Sequence, residues 1–251
     1  MDSYKIPITL SSGDVLMAEA DLYKADPAKT SCKNTAVIYF HGGGLLFGSR
    51  KDLPGLYRDM FLNAGYDFLA FDYPLAPEHS ISQITDSCCQ LIRWFFSNYQ
   101  ETLSLESSRY ILFGRSAGAY LALQTAFYTL CQKEESLSPC ALLLFYGYQG
   151  FSEEEFFKEN RYYQAKFPPI SKETALQTAK QRPDFDTEKS PRVLLYVYGR
   201  QTGRWVDLLG TEDELEQHSL SPQQLSSLPP AFLTASSMDH DVPFRLSKSM
   251  A

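Results

Sequence analysis

YILFGRSAGAYLALQTAFYTL (residues 110–130) is the stretch that decides the fold. YILFG (110–114) is a short apolar run of the kind a strand buried on both faces requires. AGAYLALQTAFYTL (117–130) follows at once and reads as a helix. Between them, Gly114-Arg115-Ser116-Ala117-Gly118 matches G-x-S-x-G in the strand-to-helix context that this motif needs. The residue types have a physical reason. A serine on so sharp a turn sits in strained backbone, and glycine on each side lets neighbouring chain pass without a Cβ clash. The turn lifts the hydroxyl above the sheet, beside a helix N-terminus whose unbonded N–H groups favour negative charge on an oxygen. Ser116 is therefore the candidate nucleophile.

Working outward, the same alternation recurs. TAVIYF (35–40), DFLAFDY (67–73) and ALLLFYG (141–147) read as further buried strands. A helix is expected around 53–64. Another spans 81–98, with Ile81, Ile84, Cys88, Leu91 and Phe95 on one stripe. Residues 5–10 and 15–23 alternate apolar and polar, as a half-exposed hairpin would. Strands separated by helices imply an α/β fold, a mostly parallel twisted sheet with helices on both faces. Residues 148–228 break the rhythm. EEEFFKENRYY and KETALQTAK look helical, VLLYVYG (193–199) reads as an apolar helix in preference to a short strand, and SLSPQQL (219–225) as a return linker before the strand in LPPAFLTASS (228–237). The expected division is a core of 1–147 and 229–251 carrying a cap-like insertion, 148–228. Phe151, Phe156, Phe157, Tyr162, Tyr163 and Phe167 either line a pocket there or form the cap's own core. Glu153, Glu154 and Glu155 read as a solvated face.

Composition bounds the rest. The 251 residues are 44% hydrophobic and 21% charged, with 14 Gly and 14 Pro, which excludes collagen-like, coiled-coil and disordered classes. A net charge of −7 without a basic cluster argues against nucleic acid and anionic membranes. The N-terminus has no signal-peptide pattern, and no run approaches the ~18 apolar residues of a membrane helix. The five cysteines, Cys32, Cys88, Cys89, Cys131 and Cys140, fit no zinc spacing. Free thiols in a reducing, cytoplasmic setting are expected, with no metal and no cofactor.

His41-Gly42-Gly43-Gly44 directly follows the TAVIYF strand. Alone it is a flexible turn. Upstream of a G-x-S-x-G turn, it stands where backbone amides form an oxyanion hole. HGGG, then DYPLAPEH (72–79), then GRSAG, in this order, resembles the α/β-hydrolase fold, and within it the hormone-sensitive-lipase-like bacterial carboxylesterases. The resemblance implies Ser116 as nucleophile, with the N–H groups of Gly43, Gly44 and Ala117 as the oxyanion hole. It implies that His41 orients the loop and that Asp72, Tyr73, Glu78 and His79 brace it, His79 as a structural histidine. It assigns the acid to Asp239 in Met238-Asp239-His240-Asp241-Val242-Pro243, with Asp241 as competitor.

The triad histidine does not appear where the family places it. The four histidines are His41, His79, His218 and His240. The expectation is a C-terminally incomplete core, lacking a last helix and strand, with an exposed sheet edge. The implied activity is hydrolysis of small soluble carboxylic esters through an acyl-enzyme on Ser116. The competing expectation is a non-catalytic hydrolase-fold protein that binds an ester-like ligand or a partner. A peptidase fits the elbow but not HGGG and DYPLAPEH. A homodimer is one association the resemblance and an open edge would allow.

Overall fold

In the computed structural model, residues 1–131, 137–181, 184–187 and 190–251 are described. Seven strands form one sheet in the order β1-β2-β4-β3-β5-β6-β7. β1 (Asp2–Thr9) and β2 (Val15–Tyr23) make the expected antiparallel hairpin, and β2 pairs antiparallel with β4 (Asp67–Phe71). From β4 onward, β3 (Ala36–Phe40), β5 (Tyr110–Arg115), β6 (Ala141–Phe145) and β7 (Ala231–Thr234) run parallel. All five residues of β3 are buried, as its unbroken apolar run required. β7 lies at an edge, and its Phe232 side is 59% exposed.

Helices cover both faces. α1 (Gly55–Asn63) lies over the smaller cluster of Val37, Tyr39, Phe68, Ala70 and Phe113, to which it contributes Phe61 and Leu62. α2 (Ile81–Asn98) buries the predicted stripe Ile81, Ile84, Cys88, Leu91 and Phe95 on the other face. Its start is fixed by Gln83 Oε1, which accepts the backbone N–H of Ser80 at 3.1 Å. α3 (Ala117–Cys131) begins directly after β5 and buries most of its residues.

Residues between β6 and β7 contain no strand among those described. They hold α4 (Arg161–Lys166), α5 (Lys172–Gln181), α6 (Val193–Thr202), α7 (Glu212–Gln217) and α8 (Pro222–Leu225). VLLYVYG is helical, as read. EEEFFKENRYY is not one helix: a single 3-10 turn at Glu154–Phe156 ends, and Asn160 caps a new helix by accepting the N–H groups of Tyr162 and Tyr163. The Glu153–Glu155 run is more than a solvated face, because Glu153 and Glu155 both accept from Arg245 of α9 (Phe244–Ser249). Phe151, Phe156, Tyr163, Leu195, Trp205 and Leu215 join the sheet and α2–α3 in one contiguous core. The insertion therefore shares its hydrophobic interior with the sheet.

No described helix is long and apolar enough to cross a membrane. None of the five cysteines forms a disulfide among the described residues, Cys88 and Cys89 are buried, and the described residues hold no metal-binding cluster.

Candidate active site

Ser116 sits at φ +52°, the strained conformation expected of a serine on this turn. Its N–H donates to Phe145 O of β6 at 2.8 Å, and its carbonyl accepts the N–H groups of Ala119 and Tyr120 as α3 begins. The hydroxyl is half-buried and makes no hydrogen bond among the described residues. Gly118 shows why the flanking glycine is needed. A Cβ there would stand 2.0 Å from Phe40 O and 2.5 Å from His41 O, so α3 could not seat against β3. The loop after β3 meets the same turn: a Cβ on Gly42 would be 3.8 Å from Ser116 Cβ.

Among the described residues, three N–H groups beside this turn have no partner. Ala117 opens α3, and the residue four before it lies in β5, outside the helix. The N–H groups of Gly43 and Gly44 make no hydrogen bond among the described residues, and their direction is fixed indirectly. His41 Nδ1 bonds Gly42 O at 2.8 Å, and Gly43 O accepts from Leu46 and Phe47. In a trans peptide the C=O and N–H point opposite ways. Pinning those two carbonyls therefore aims the Gly43 and Gly44 N–H groups the other way.

The DYPLAPEH segment supports this loop from several directions. Tyr73 stacks on His41 at 4.0 Å and donates its hydroxyl to His41 O at 2.7 Å. Asp72 accepts from the backbone N–H and the guanidinium of Arg50, which also pairs with Glu19 and Asp21. Burial raises the Asp72 carboxyl pKa, opposed by His41 and Arg50. Glu78 forms a two-point pair with the wholly buried Arg192, whose Nε also donates to Leu46 O. His79 Nε2 faces Asp184 at 2.8 Å.

Asp239 follows β7 in a half-exposed turn. Its Oδ1 accepts the N–H groups of Asp241 and Val242 at 2.8 and 2.9 Å, while Oδ2 has no partner among the described residues. Asp241 is engaged elsewhere, by the hydroxyls of Tyr163 (2.7 Å) and Tyr196 (3.0 Å) and by Arg200. The ladder links Ser116 N to Phe145 O and Tyr146 N to Thr234 O, so Ser116 and the Asp239 turn lie at the same strand ends.

No histidine joins them. His41 holds its own loop, and His79 faces Asp184. His218 bonds Glu214 O through Nδ1 at 2.8 Å, and burial lowers its pKa. His240 is exposed and stacked on Tyr162 at 4.6 Å. None of the four hydrogen-bonds Ser116 or Asp239 among the described residues.

A cleft of about 450 Å³ borders the loop that follows His41-Gly42-Gly43-Gly44, lined by Phe47, Gly48, Ser49, Asp52, Asp186 and Val193 among others. A second cavity, about 650 Å³, lies in the insertion and includes Phe151 and Phe157. Neither is lined by Ser116, Gly43, Gly44 or Asp239, but the first adjoins the loop of Gly43 and Gly44 through Phe47 and Gly48. Of the six cap aromatics, Phe151, Phe156 and Tyr163 are core, whereas Phe157 and Tyr162 are exposed.

A family model described as the alpha/beta hydrolase fold matches residues 37–240. This chain belongs to the α/β-hydrolase-fold family. Its likeness to the hormone-sensitive-lipase-like members is borne out. An Enterococcus faecalis alpha/beta hydrolase superfamily protein is 32% identical, with a TM-score of 0.75 over 98% of this hydrolase-fold chain and 84% of that one. A Staphylococcus aureus protein of unknown function is 28% identical, with a TM-score of 0.83 over all of this chain and 84% of the other. An ethyl acetate hydrolase of Pseudomonas putida is 27% identical over 127 residues, 51% of this chain and 40% of that protein. The chain thus matches about two-fifths of that curated relative's length.

Several residues around this hydrolase-fold site left no local signal in the sequence. Arg115 donates to Tyr39 Oη at 3.0 Å and pairs with Asp52 at 2.9 Å, tying the elbow to the loop after Gly44. Trp205 Nε1 donates to Gly44 O at 2.8 Å, across 161 residues. Tyr196 and Arg192 reach the same loop from α6 and its N-cap. Only a search for lone buried cations could have raised Arg192, and nothing in the chain's periodicity does so.

Proposed function

We propose that this site hydrolyses small carboxylic esters by acyl transfer to Ser116. The reading is carried by one observation: a strained serine with an unengaged hydroxyl beside three unpartnered N–H groups. Ser116 Oγ attacks the ester carbonyl carbon. The carbonyl oxygen becomes an oxyanion, held by the N–H groups of Gly43, Gly44 and Ala117. Collapse expels the alcohol, which takes the proton that Oγ gave up to a base on attack; water then cleaves the acyl-enzyme, returning a proton to Oγ and releasing the carboxylic acid. The cleft beside Phe47 and Val193 receives a compact, largely apolar group of the ester. Asp239 Oδ2 is the acceptor for an imidazole Nδ1–H.

The imidazole itself is supplied by none of His41, His79, His218 or His240 in the geometry described. A serine without its base loses on the order of 10⁶ in kcat, with on the order of 10³–10⁴ over water retained by the oxyanion hole and binding. That observation favours a second reading, in which the same pocket binds an ester-like molecule without turning it over.

Hydrolysis of p-nitrophenyl acetate by the 251-residue chain, beside Ser116→Ala, separates the two. Turnover lost in Ser116→Ala supports the esterase reading and requires one of the four histidines, or a neighbouring copy, to act as base. Equal rates, with no adduct on Ser116 after a fluorophosphonate, would overturn it in favour of binding alone.

A further inference from the structure

Helix α6 touches both halves of the candidate site. The Tyr196 ring lies so close over Gly44, which sits at φ +60°, that a Cβ there would come within 2.2 Å of it. The hydroxyl of the same side chain donates to Asp241 Oδ1 at 3.0 Å. The N–H of Asp241 donates in turn to Asp239 Oδ1. One buried side chain thus bridges the loop after β3 and the turn after β7, at the ends of strands that are not neighbours in the sheet.

Each end of the bridge is reinforced. Trp205 packs edge-on to Tyr196 at 5.9 Å and holds Gly44 O through Nε1. On the far side, Tyr163 donates to the other oxygen of Asp241, and Arg200 donates to the Asp241 carbonyl at 3.2 Å. Asn160 Nδ2 donates to the His240 carbonyl at 2.8 Å. No backbone hydrogen bond joins residues 42–46 to 236–243 among those described. The sheet fixes where each segment begins but not their mutual placement.

We propose that Tyr196 is a positioning residue, a strut that holds the oxyanion loop and the acid turn at a fixed separation. The functional weight of this strut rests on the assignment of Gly44 and Asp239 made above; the contacts do not. A misplacement of 1 Å in such a constellation costs about 10²-fold in rate, so the cap helix sets catalytic geometry as well as covering the site. Burial, and next the Asp241 charge, push the Tyr196 hydroxyl well above its ordinary pKa. The phenol therefore stays a donor at any working pH.

Hydrogen exchange tests the strut without requiring activity. The reporters are the N–H groups of Leu46 and Phe47, bonded to Gly43 O, and those of Asp241 and Val242, bonded to Asp239. Tyr196→Phe keeps the ring and loses one hydrogen bond. It should speed exchange at Asp241 and Val242 by about fivefold and leave Leu46 and Phe47 unchanged. Trp205→Phe should do the reverse. Tyr196→Ala should speed both. Where the wild type turns over p-nitrophenyl acetate, Tyr196→Phe should lower kcat with KM held. Wild-type exchange in either segment of a folded Tyr196→Ala, or in both segments of Tyr196→Phe and Trp205→Phe, overturns the strut. A change in KM alone does so as well. A wild type that neither turns over nor is labelled at Ser116 overturns the esterase reading instead, and the exchange pattern still decides the strut.

Discussion

Replacing Glu78 with Gln tests the clasp between the residue that caps α6 and the loop after β3. Arg192 is wholly buried, and its guanidinium bonds Leu46 O (2.8 Å), Ala76 O (2.6 Å), Ala179 O (3.3 Å) and both oxygens of Glu78 (3.2 and 2.9 Å). Removing one partner of a buried pair costs about 3–5 kcal/mol. The Glu78 side chain is 22% exposed, and Gln keeps one acceptor. The cost therefore falls below that range, at about 2–3 kcal/mol, as for a hydrogen bond to a charged group. At ~2–4 °C per kcal/mol for a chain of this length, Glu78→Gln should lower Tm by roughly 4–12 °C in a calorimetric melt. Arg192→Met should cost more, because it leaves the Glu78 carboxylate unpaired and three carbonyls without their donor. Within Arg192→Met, adding Glu78→Gln should cost nothing further or restore stability, since the orphaned charge is then gone. Additive losses in the double variant, or a Glu78→Gln melt within about 1 °C of wild type, would show that the pair holds nothing.

Three other expectations concern the turn at Ser116, the loop after Gly44 and the start of α7. Gly118→Ala places a methyl 2.0 Å from Phe40 O, a backbone atom that cannot move without shifting β3. It should lose more than about 3 kcal/mol or fail to fold, as soluble yield and circular dichroism would reveal. Tyr39→Phe removes the donor to Asp52 (2.6 Å) and the acceptor for Arg115 Nε, and should lower stability by about 1–2 kcal/mol in a urea titration. Glu214 is held down at about 2 from an ordinary 4.5, first by the Ser80 hydroxyl and then by the Thr211 N–H. Its folded pKa is depressed, so its contribution is complete above about pH 4.5 and vanishes as the pH falls towards 2. Glu214→Gln should melt below wild type at pH 7, with the gap closing on acidification; a gap that widens would contradict the assignment.

Much of the architecture is legible in short stretches of chain. The runs 35–40, 67–73, 110–114 and 141–147 needed only their apolar character to be read as strands, and each holds one, although 141–145 is only half-buried where full burial was expected. The elbow needed only Gly-x-Ser-x-Gly between a strand and a helix, because its geometry is set by residues within five positions of one another. The cap was harder. EEEFFKENRYY has helical composition throughout, yet Asn160 breaks it by offering its side chain to the N–H groups of the following turn. The role of Glu153 and Glu155 was hidden because Arg245, their partner, stands some 90 residues away.

The sequence by itself determined the hydrolase fold and the sharp strand-to-helix turn at Ser116, since both depend on local backbone preference and on periodic burial. The family resemblance assigned Asp239 over Asp241; of the two, Asp239 alone keeps a carboxylate oxygen without a partner among the described residues. Tertiary structure alone decided what steadies that site. Arg192 reaches Leu46 across 146 residues and Trp205 reaches Gly44 across 161, and Tyr196 meets the Gly44 and Asp241 turns at once. Such contacts arise only after the sheet has brought distant strand ends together. No periodicity or motif records them, because each is one side chain meeting a backbone atom far away in the chain.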